Sequence, residues 1–174
     1  MKWIAFIALA YLSSSCVAHK PSTMEVTYSG NETSTEQHAP ENVYLFIDGE
    51  IPKTPYRKLG YLEVSNIGDL SKSIAYDVLM YEAWKRGANG VMGANYKPNT
   101  ISGWPIYLRS DSTLVHYYGE GQKLENVHIG YTWANERDAE KQKLYESNKA
   151  SNQVLNTLGA ICLTGLYIYS LDLD

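Results

Sequence analysis

Residues 71–93 read SKSIAYDVLMYEAWKRGANGVMG, and this stretch decides the fold of the chain. Ala75, Leu79 and Ala83 recur at every fourth position, which is the spacing of residues that share one face of an α-helix. The two alanines let a neighbouring backbone approach closely, and the leucine fills the remaining space. The pattern predicts a helix that runs to about Arg86 and packs one face on a β-sheet.

Both ends of this helix carry boundary signals. Ser71 or Ser73 can act as the N-cap, because a serine hydroxyl accepts a hydrogen bond from an amide that has no partner in the first turn. Two basic residues and then Gly87 follow the last turn, and glycine readily adopts the left-handed conformation that ends many helices. Val91–Tyr96 then predicts a strand directly after the helix.

Short runs of apolar, β-branched and aromatic residues predict further strands on both sides of the helix. They are Val43–Ile47, Lys58–Val64, Trp104–Arg109, Thr113–Tyr118 and a weaker continuation at Gln122–Leu124, with a loop at Lys97–Gly103. Asp48 and Glu50 flank Gly49 and predict a hairpin turn rather than an acid–base pair. The predicted fold class is α+β: a small β-sheet packed on one long helix, followed by a C-terminal polar helix and an apolar segment.

The C-terminal part divides into a polar and an apolar stretch. Trp133–Gln153 is rich in Glu, Lys, Asn and Ala and predicts a solvated helix. Val154–Leu171 contains no charged residue and is a marginal candidate for a transmembrane helix. Polar residues dilute it and Tyr167–Leu173 alternates like a strand, so we favour a buried or oligomer-facing segment over a membrane span.

The N-terminus has the layout of a secretory signal. Lys2 supplies a positive start, an apolar run follows at Trp3–Leu12, and small residues lead to Cys16. Bacterial lipoprotein signals resemble this arrangement, and their cysteine is lipidated and becomes the mature N-terminus. Ordinary cleavage after Ala18 is the alternative. The stretch that follows is nearly free of aliphatic residues and predicts a disordered tether.

The predicted organisation is therefore a signal peptide at 1–15, a lipid-anchored disordered tether at 16–42, an α+β domain at 43–130, and a C-terminal helix and apolar segment at 131–174. The formal net charge of −4 argues against nucleic-acid binding. Apart from Cys16, only Cys162 is present, so the domain is not a disulfide scaffold. The four histidines, His19, His38, His116 and His128, lack the spacing of zinc ligands.

The segment from Pro55 to Glu125 resembles the YbjQ/RcsF-like group of small bacterial α+β domains. Four elements carry the resemblance: the glycine-containing strand Lys58–Val64, the Ala75, Leu79 and Ala83 stripe, the RGANGVMG signature at Arg86–Gly93, and the closing strand Leu114–Leu124. The resemblance implies a small sheet on one helix and, for some relatives, an envelope lipoprotein. The paired cysteines of the envelope-stress sensor in this group have no counterpart here, because no cysteine lies in the segment.

No catalytic residue, metal ligand or cofactor site is predicted. His116 fits a hydrogen-bonded strand residue, and Glu120 lies between two glycines and fits a turn. The signature residues are assigned to folding rather than to a ligand; they are Gly87, Ala88, Asn89, Val91 and Gly93.

We therefore expect a non-enzymatic lipoprotein of the bacterial cell envelope, with palmitate or a related lipid on Cys16. Val17 follows the cysteine where an aspartate would favour inner-membrane retention, so the outer membrane is favoured. The expected partners are the membrane, through the lipid, and an envelope protein or a second copy of the chain. The alternative is a soluble exported oligomeric domain that binds a small ligand or a metal.

Overall fold

A computed structural model describes residues 19–30, 42–47, 49–108 and 121–171, the last range without the side chains of 159 and 162–171. Seven strands and two helices lie in these ranges. They are β1 Glu25–Ser29, β2 Asn42–Ile47, β3 Tyr56–Lys58, β4 Tyr61–Ser65, α1 Lys72–Trp84, β5 Gly90–Lys97, β6 Thr100–Leu108, β7 Gln122–Lys123 and α2 Leu124–Leu171. The α+β class predicted from the sequence is confirmed.

The strands form one mixed sheet in the order β1-β4-β6-β5-β2-β7, and β3 pairs with β6 beside this path. β2 and β5 are parallel, whereas the other pairs are antiparallel. The chain divides into two compact units: Ser22–Asp138 contains the sheet, α1 and the first turns of α2, and the second unit contains α2 from Ala139 onwards.

The main core lies between the sheet and α1, as the four-residue spacing predicted. Ala75, Leu79 and Ala83 are fully buried and pack with side chains of β4, β5 and β6. Ser71 is the N-cap, and its Oγ accepts a hydrogen bond from the Ile74 amide at 3.3 Å. A smaller apolar cluster of Phe46, Ile106 and Leu108 forms a second core.

Five details differ from the sequence predictions. The tether predicted at 16–42 is wrong at Glu25–Ser29, because these residues pair with β4 as an edge strand. The strand predicted at Lys58–Val64 is instead two strands, because the pairing with β6 is interrupted at Leu59 and Gly60. β3 pairs with the end of β6, whereas β4 pairs with its beginning.

The loop predicted at Lys97–Gly103 is instead a tight hairpin turn between β5 and β6. Only Pro98 and Asn99 lie outside the strands, and Asn99 has a φ of 66°, a left-handed conformation that asparagine tolerates better than most residues. Residues 100–103 therefore belong to β6, which starts earlier than its sequence suggests.

The second helix is also longer than predicted, because it begins at Leu124 rather than Trp133 and continues to Leu171. The strand that the alternation at Tyr167–Leu173 suggested is also wrong up to Leu171, because the backbone is helical as far as that residue. Among the described residues, no helical segment combines the length and the apolar character that crossing a bilayer requires. The predicted signal peptide and the strand at Thr113–Tyr118 lie outside the described residues.

Candidate functional site

The signature after α1 forms the turn that passes the chain from the helix into the sheet. Gly87 has a φ of 80°, so it supplies the left-handed conformation expected of it. The amide of Gly87 donates to the carbonyl of Trp84 at 2.8 Å, and the amide of Ala88 donates to the carbonyl of Ala83 at 3.1 Å. Ala88 is fully buried, and the turn closes over the end of the helix.

Asn89 uses its side chain as if it were a strand peptide group. Its Nδ2 donates to the carbonyl of Leu108 at 2.6 Å, and its Oδ1 accepts from the Leu108 amide at 2.6 Å. Its backbone carbonyl accepts from the Tyr44 amide, and its backbone amide donates to the carbonyl of Ile106. One buried residue thereby joins the end of β6 to β2 at the point where β5 begins.

The other two signature residues lie within β5. Val91 is fully buried in the main core. Gly93 has a φ of 63° and lies where the register between β5 and β6 shifts, so it is needed for its backbone conformation. Gly93 has no close neighbour that a side chain would displace, because the nearest atom to an added Cβ would be a Trp104 carbon at 3.7 Å. On the neighbouring strand β6, Gly103 does need the space, because an added Cβ there would lie 2.6 Å from Val91 Cγ1.

Titratable side chains concentrate where α1 meets the first turns of α2. We call this group the helix-junction cluster, and its members are Tyr81, Glu82, Lys85, Arg86, His128 and Tyr131. The ring of Tyr81 stacks with those of Tyr131 and His128, with centroids 4.1 and 5.0 Å away. The cluster places a carboxylate, two cations and an aromatic stack at one helix–helix contact.

Glu82 is the buried anion of this cluster and is only 4% exposed. Its two carboxylate oxygens accept from Lys85 Nζ at 2.8 Å and from Arg86 Nη1 at 2.7 Å. Burial alone would raise the pKa of the Glu82 carboxyl, but the hydrogen bonds from Lys85 and Arg86 together outweigh burial and hold that pKa below its ordinary value. Desolvation likewise acts to lower the pKa of Lys85, and its bond to Glu82 raises it overall.

Asp77 lies on α1 about one turn before the cluster and has the opposite environment. It is 8% exposed and faces Gly130 of α2, where an added Cβ would overlap Oδ2 and would lie 2.8 Å from Cγ. Among the described residues, no cation or hydrogen-bond donor pairs with this carboxyl. Burial therefore raises its pKa from 3.8 to about 6.

A second buried ion pair anchors α2 further along the same unit. Arg137 Nη2 donates to Asp138 Oδ1 at 2.8 Å, and its Nη1 donates to the carbonyl of Ile67 at 3.1 Å and to Asp69 Oδ1 at 3.0 Å. Asp138 Oδ2 accepts from the Met24 amide at 2.7 Å, just before β1. This pair ties the helix to a loop and to the edge strand.

A small aromatic surface lies on the sheet. Trp104 is 40% exposed, and its ring packs in an edge-to-face arrangement with the Tyr61 ring at a centroid distance of 5.0 Å. Lys58 Nζ lies 4.7 Å from the centre of the indole. Because the indole already contacts Lys58 and Tyr61, much of its binding surface is used within the protein.

The second unit exposes apolar side chains of α2. Val154, Leu155, Leu158 and Ile161 have between 53% and 65% of their surface exposed. At 3.6 residues per turn, this spacing places all four on one side of the helix. A shallow concavity beside them is lined by Ala150, Gln153, Val154, Thr157 and Leu158.

Several residues singled out from the sequence lie outside the described residues, namely Cys16, His38, Asp48, His116 and Glu120. His19 is exposed, whereas His128 belongs to the helix-junction cluster. Within the described ranges, no group of three His, Cys, Asp or Glu side chains could hold a metal ion. Neither family models, curated proteins nor solved structures give a match to this chain.

The helix-junction cluster was not predicted from the sequence. The signal for its ionic part was present, because Glu82 precedes Lys85 and Arg86 by three and four positions, the spacing of helical ion pairs. The burial of Glu82 and the contact between Asp77 and Gly130 depend on how α2 packs. They were missed because the predicted start of that helix, Trp133, lies after Gly130.

Proposed function

We propose that this chain is a non-enzymatic, lipid-anchored protein of the bacterial cell envelope that assembles with an envelope protein through α2. The observation that carries the assembly role is the exposed apolar side of α2 at Val154, Leu155, Leu158 and Ile161. Large apolar side chains exposed together on one side of a helix are typical of surfaces that bind another protein. The segment from Val154 to Leu171 contains no charged residue that would oppose this burial.

The anchor is the second part of the proposal and is supported by the N-terminal sequence. A positive residue, a short apolar run and small residues precede Cys16, in the order found in lipoprotein signals. The resemblance of Pro55–Glu125 to the YbjQ/RcsF-like group points to the same compartment, since some members are envelope lipoproteins. A thioether-linked lipid at Cys16 would hold the domain outside the cytoplasm, with the outer membrane favoured.

Metabolic labelling with a palmitate analogue tests the anchor. We expect the wild-type chain to take up the label and the Cys16→Ala variant to lose it. Cys162→Ala is the matched control, because Cys162 is the other cysteine of the chain. An unlabelled wild type, or label that disappears with Cys162→Ala instead, would overturn lipidation at Cys16.

Site-specific photocrosslinking in cells tests the assembly role. We expect a photoreactive residue at Leu158 to form a defined protein adduct, whereas one at Asn156 should not, because Asn156 lies on the opposite side of the helix. Adducts with lipid alone would show that this side of α2 contacts the membrane. Equal adducts from both positions would show that the apolar side has no specific role.

A further inference from the structure

The contact between α1 and α2 contains a buried carboxyl that neither the anchor nor the assembly surface uses. Asp77 is on the α1 side of this contact and Gly130 is on the α2 side, and the glycine leaves no room for a side chain between them. When an ionised carboxylate is buried, a cation or hydrogen-bond donors must take the place of the water that it loses. Among the described residues, neither a cation nor a donor is paired with Asp77, so the close packing of α2 and the charge on Asp77 oppose each other.

We propose that this contact is a pH-dependent latch: a neutral Asp77 holds the first turns of α2 against α1, and its ionised form weakens that contact. The opposition between charge and packing is local, because Val127 and Ala134 on the same part of α2 are fully buried and would hold the helix in either state. Ionisation therefore loosens the contact at Gly130 rather than unfolding the domain.

Other titratable groups surround the contact and must be distinguished from Asp77. On α2 these are His128 and Tyr131; on α1 they are Lys72, Tyr76, Tyr81, Glu82, Lys85 and Arg86; and the sheet contributes Tyr28, Tyr96 and Tyr107 to the core beneath α1. Glu82 is already paired with Lys85 and Arg86. His128 is an ionisable group on the same part of α2, with its ring 5.0 Å from that of Tyr81, so its contribution must be separated from that of Asp77.

The sign of the effect follows from the direction of the shift. The pKa of Asp77 rises from 3.8 to about 6 when the helices are in contact, so the contact takes up a proton as it forms. Lowering the pH from about 7.5 to about 5 should therefore strengthen the docking equilibrium about tenfold, since most of the docked form is then protonated and the undocked form is not.

Hydrogen exchange of the full chain, corrected for the intrinsic pH dependence of exchange, tests the latch. We expect amides of residues 124–138 in the wild type to be about tenfold better protected at about pH 5 than at about pH 7.5. The Asp77→Asn variant keeps the shape of the side chain but cannot ionise, so its protection should be the same at both pH values. The protection of amides in the central strands β5 and β6 reports whether the stability of the whole domain, rather than of the helix contact alone, has changed.

Two further variants decide the origin of any pH effect. His128→Gln should keep the tenfold change, whereas Gly130→Ala should lower protection at both pH values by forcing the helices apart. The latch is overturned if the wild type shows no change with pH, if Asp77→Asn keeps the change, or if His128→Gln abolishes it. A change of equal size in β5 and β6 would also overturn it, because the effect would then be global unfolding.

Discussion

Replacing Asn89 by alanine should destabilise the domain more than any exposed asparagine substitution, because its side chain completes the end of β6. The variant loses two hydrogen bonds of 2.6 Å and leaves the amide and the carbonyl of Leu108 without their partner. Leu108 is fully buried, so water does not replace the lost bonds without a rearrangement. At about 1–3 kcal/mol for each of the two buried polar groups left unpaired, we expect a loss of about 2–6 kcal/mol in the free energy of unfolding.

Urea titration followed by circular dichroism measures this loss, and Asn135→Ala is the matched control. Asn135 is exposed and donates to the carbonyl of Tyr131 in its own helix, so its replacement should change stability by less than about 0.5 kcal/mol. Asn89→Asp adds a sharper comparison, because it keeps the acceptor but sets a carboxylate oxygen against the Leu108 carbonyl. Asn89→Asp should be worse than Asn89→Ala at neutral pH and should recover as the pH falls and the carboxyl is protonated. An Asn89→Ala variant as stable as Asn135→Ala would refute the argument.

Three further predictions concern the contact between the helices. At about pH 7.5, Asp77→Asn should raise the free energy of unfolding by up to about 3 kcal/mol, because a rise in the pKa of Asp77 from 3.8 to about 6 penalises the ionised native state. Urea titration at several pH values measures this gain. It should shrink as the pH falls through about 6 and vanish below the pKa of Asp77 in the unfolded chain. Gly130→Ala should lower the melting temperature although alanine favours helices, and Asp77→Ala in the same chain should restore part of the loss, which a double-mutant cycle measures. At pH values above the ordinary glutamate pKa, where Glu82 is ionised and paired with Lys85 and Arg86, Glu82→Gln should lower the free energy of unfolding by about 1–3 kcal/mol. Urea titration should show this difference from the wild type narrowing as the pH falls through the lowered pKa of Glu82 in the native state. A difference that is constant with pH would contradict this role.

The parts of the fold that the sequence predicted well depend on short-range patterns. Ser71, the alanine and leucine stripe and Gly87 act within one helix and its two ends, and all three features are found where expected. Within the signature after the helix, Gly87 has the left-handed conformation expected of it and Val91 lies buried in the sheet. What the pattern did not show is that the side chain of Asn89 reaches β6, a partner 19 positions further along the chain.

The errors in the sheet have a common physical cause, which is that strand pairing is a long-range property. The first part of β6, Thr100–Gly103, was predicted to lie in a loop, yet it pairs with β4. Pro105 lies between this stretch and the stretch of β6 that pairs with β3. In an antiparallel ladder the amide and carbonyl of one residue face the same neighbour, so the missing amide of Pro105 faces the break at Leu59. The Leu59 amide donates to the Pro105 carbonyl at 2.9 Å, and the strand continues past the proline.

β1 was missed for the same reason. Its residues EVTYS are mostly exposed, and few apolar side chains mark it as a strand. It is held instead by its pairing with β4, by the bond from the Tyr28 hydroxyl to the Leu59 carbonyl at 2.7 Å, and by the Met24 amide on Asp138. Each of these partners is distant in sequence, so composition alone predicted a disordered tether.

The two buried carboxyls of α1 show most clearly what the sequence could not supply. Asp77 and Glu82 lie on one short helix and are similarly buried, yet burial raises the pKa of the first and two hydrogen-bonded cations lower the pKa of the second. Glu82 brings its cations from its own helix, at positions that were visible in the sequence. Asp77 meets a glycine from α2, and only the packing of the two helices makes that pairing. The ionised form of a carboxyl group is therefore stabilised at one end of α1 and opposed about one turn earlier. Because α2 supplies the contact at Asp77, it is the element that decides how this helix responds to pH.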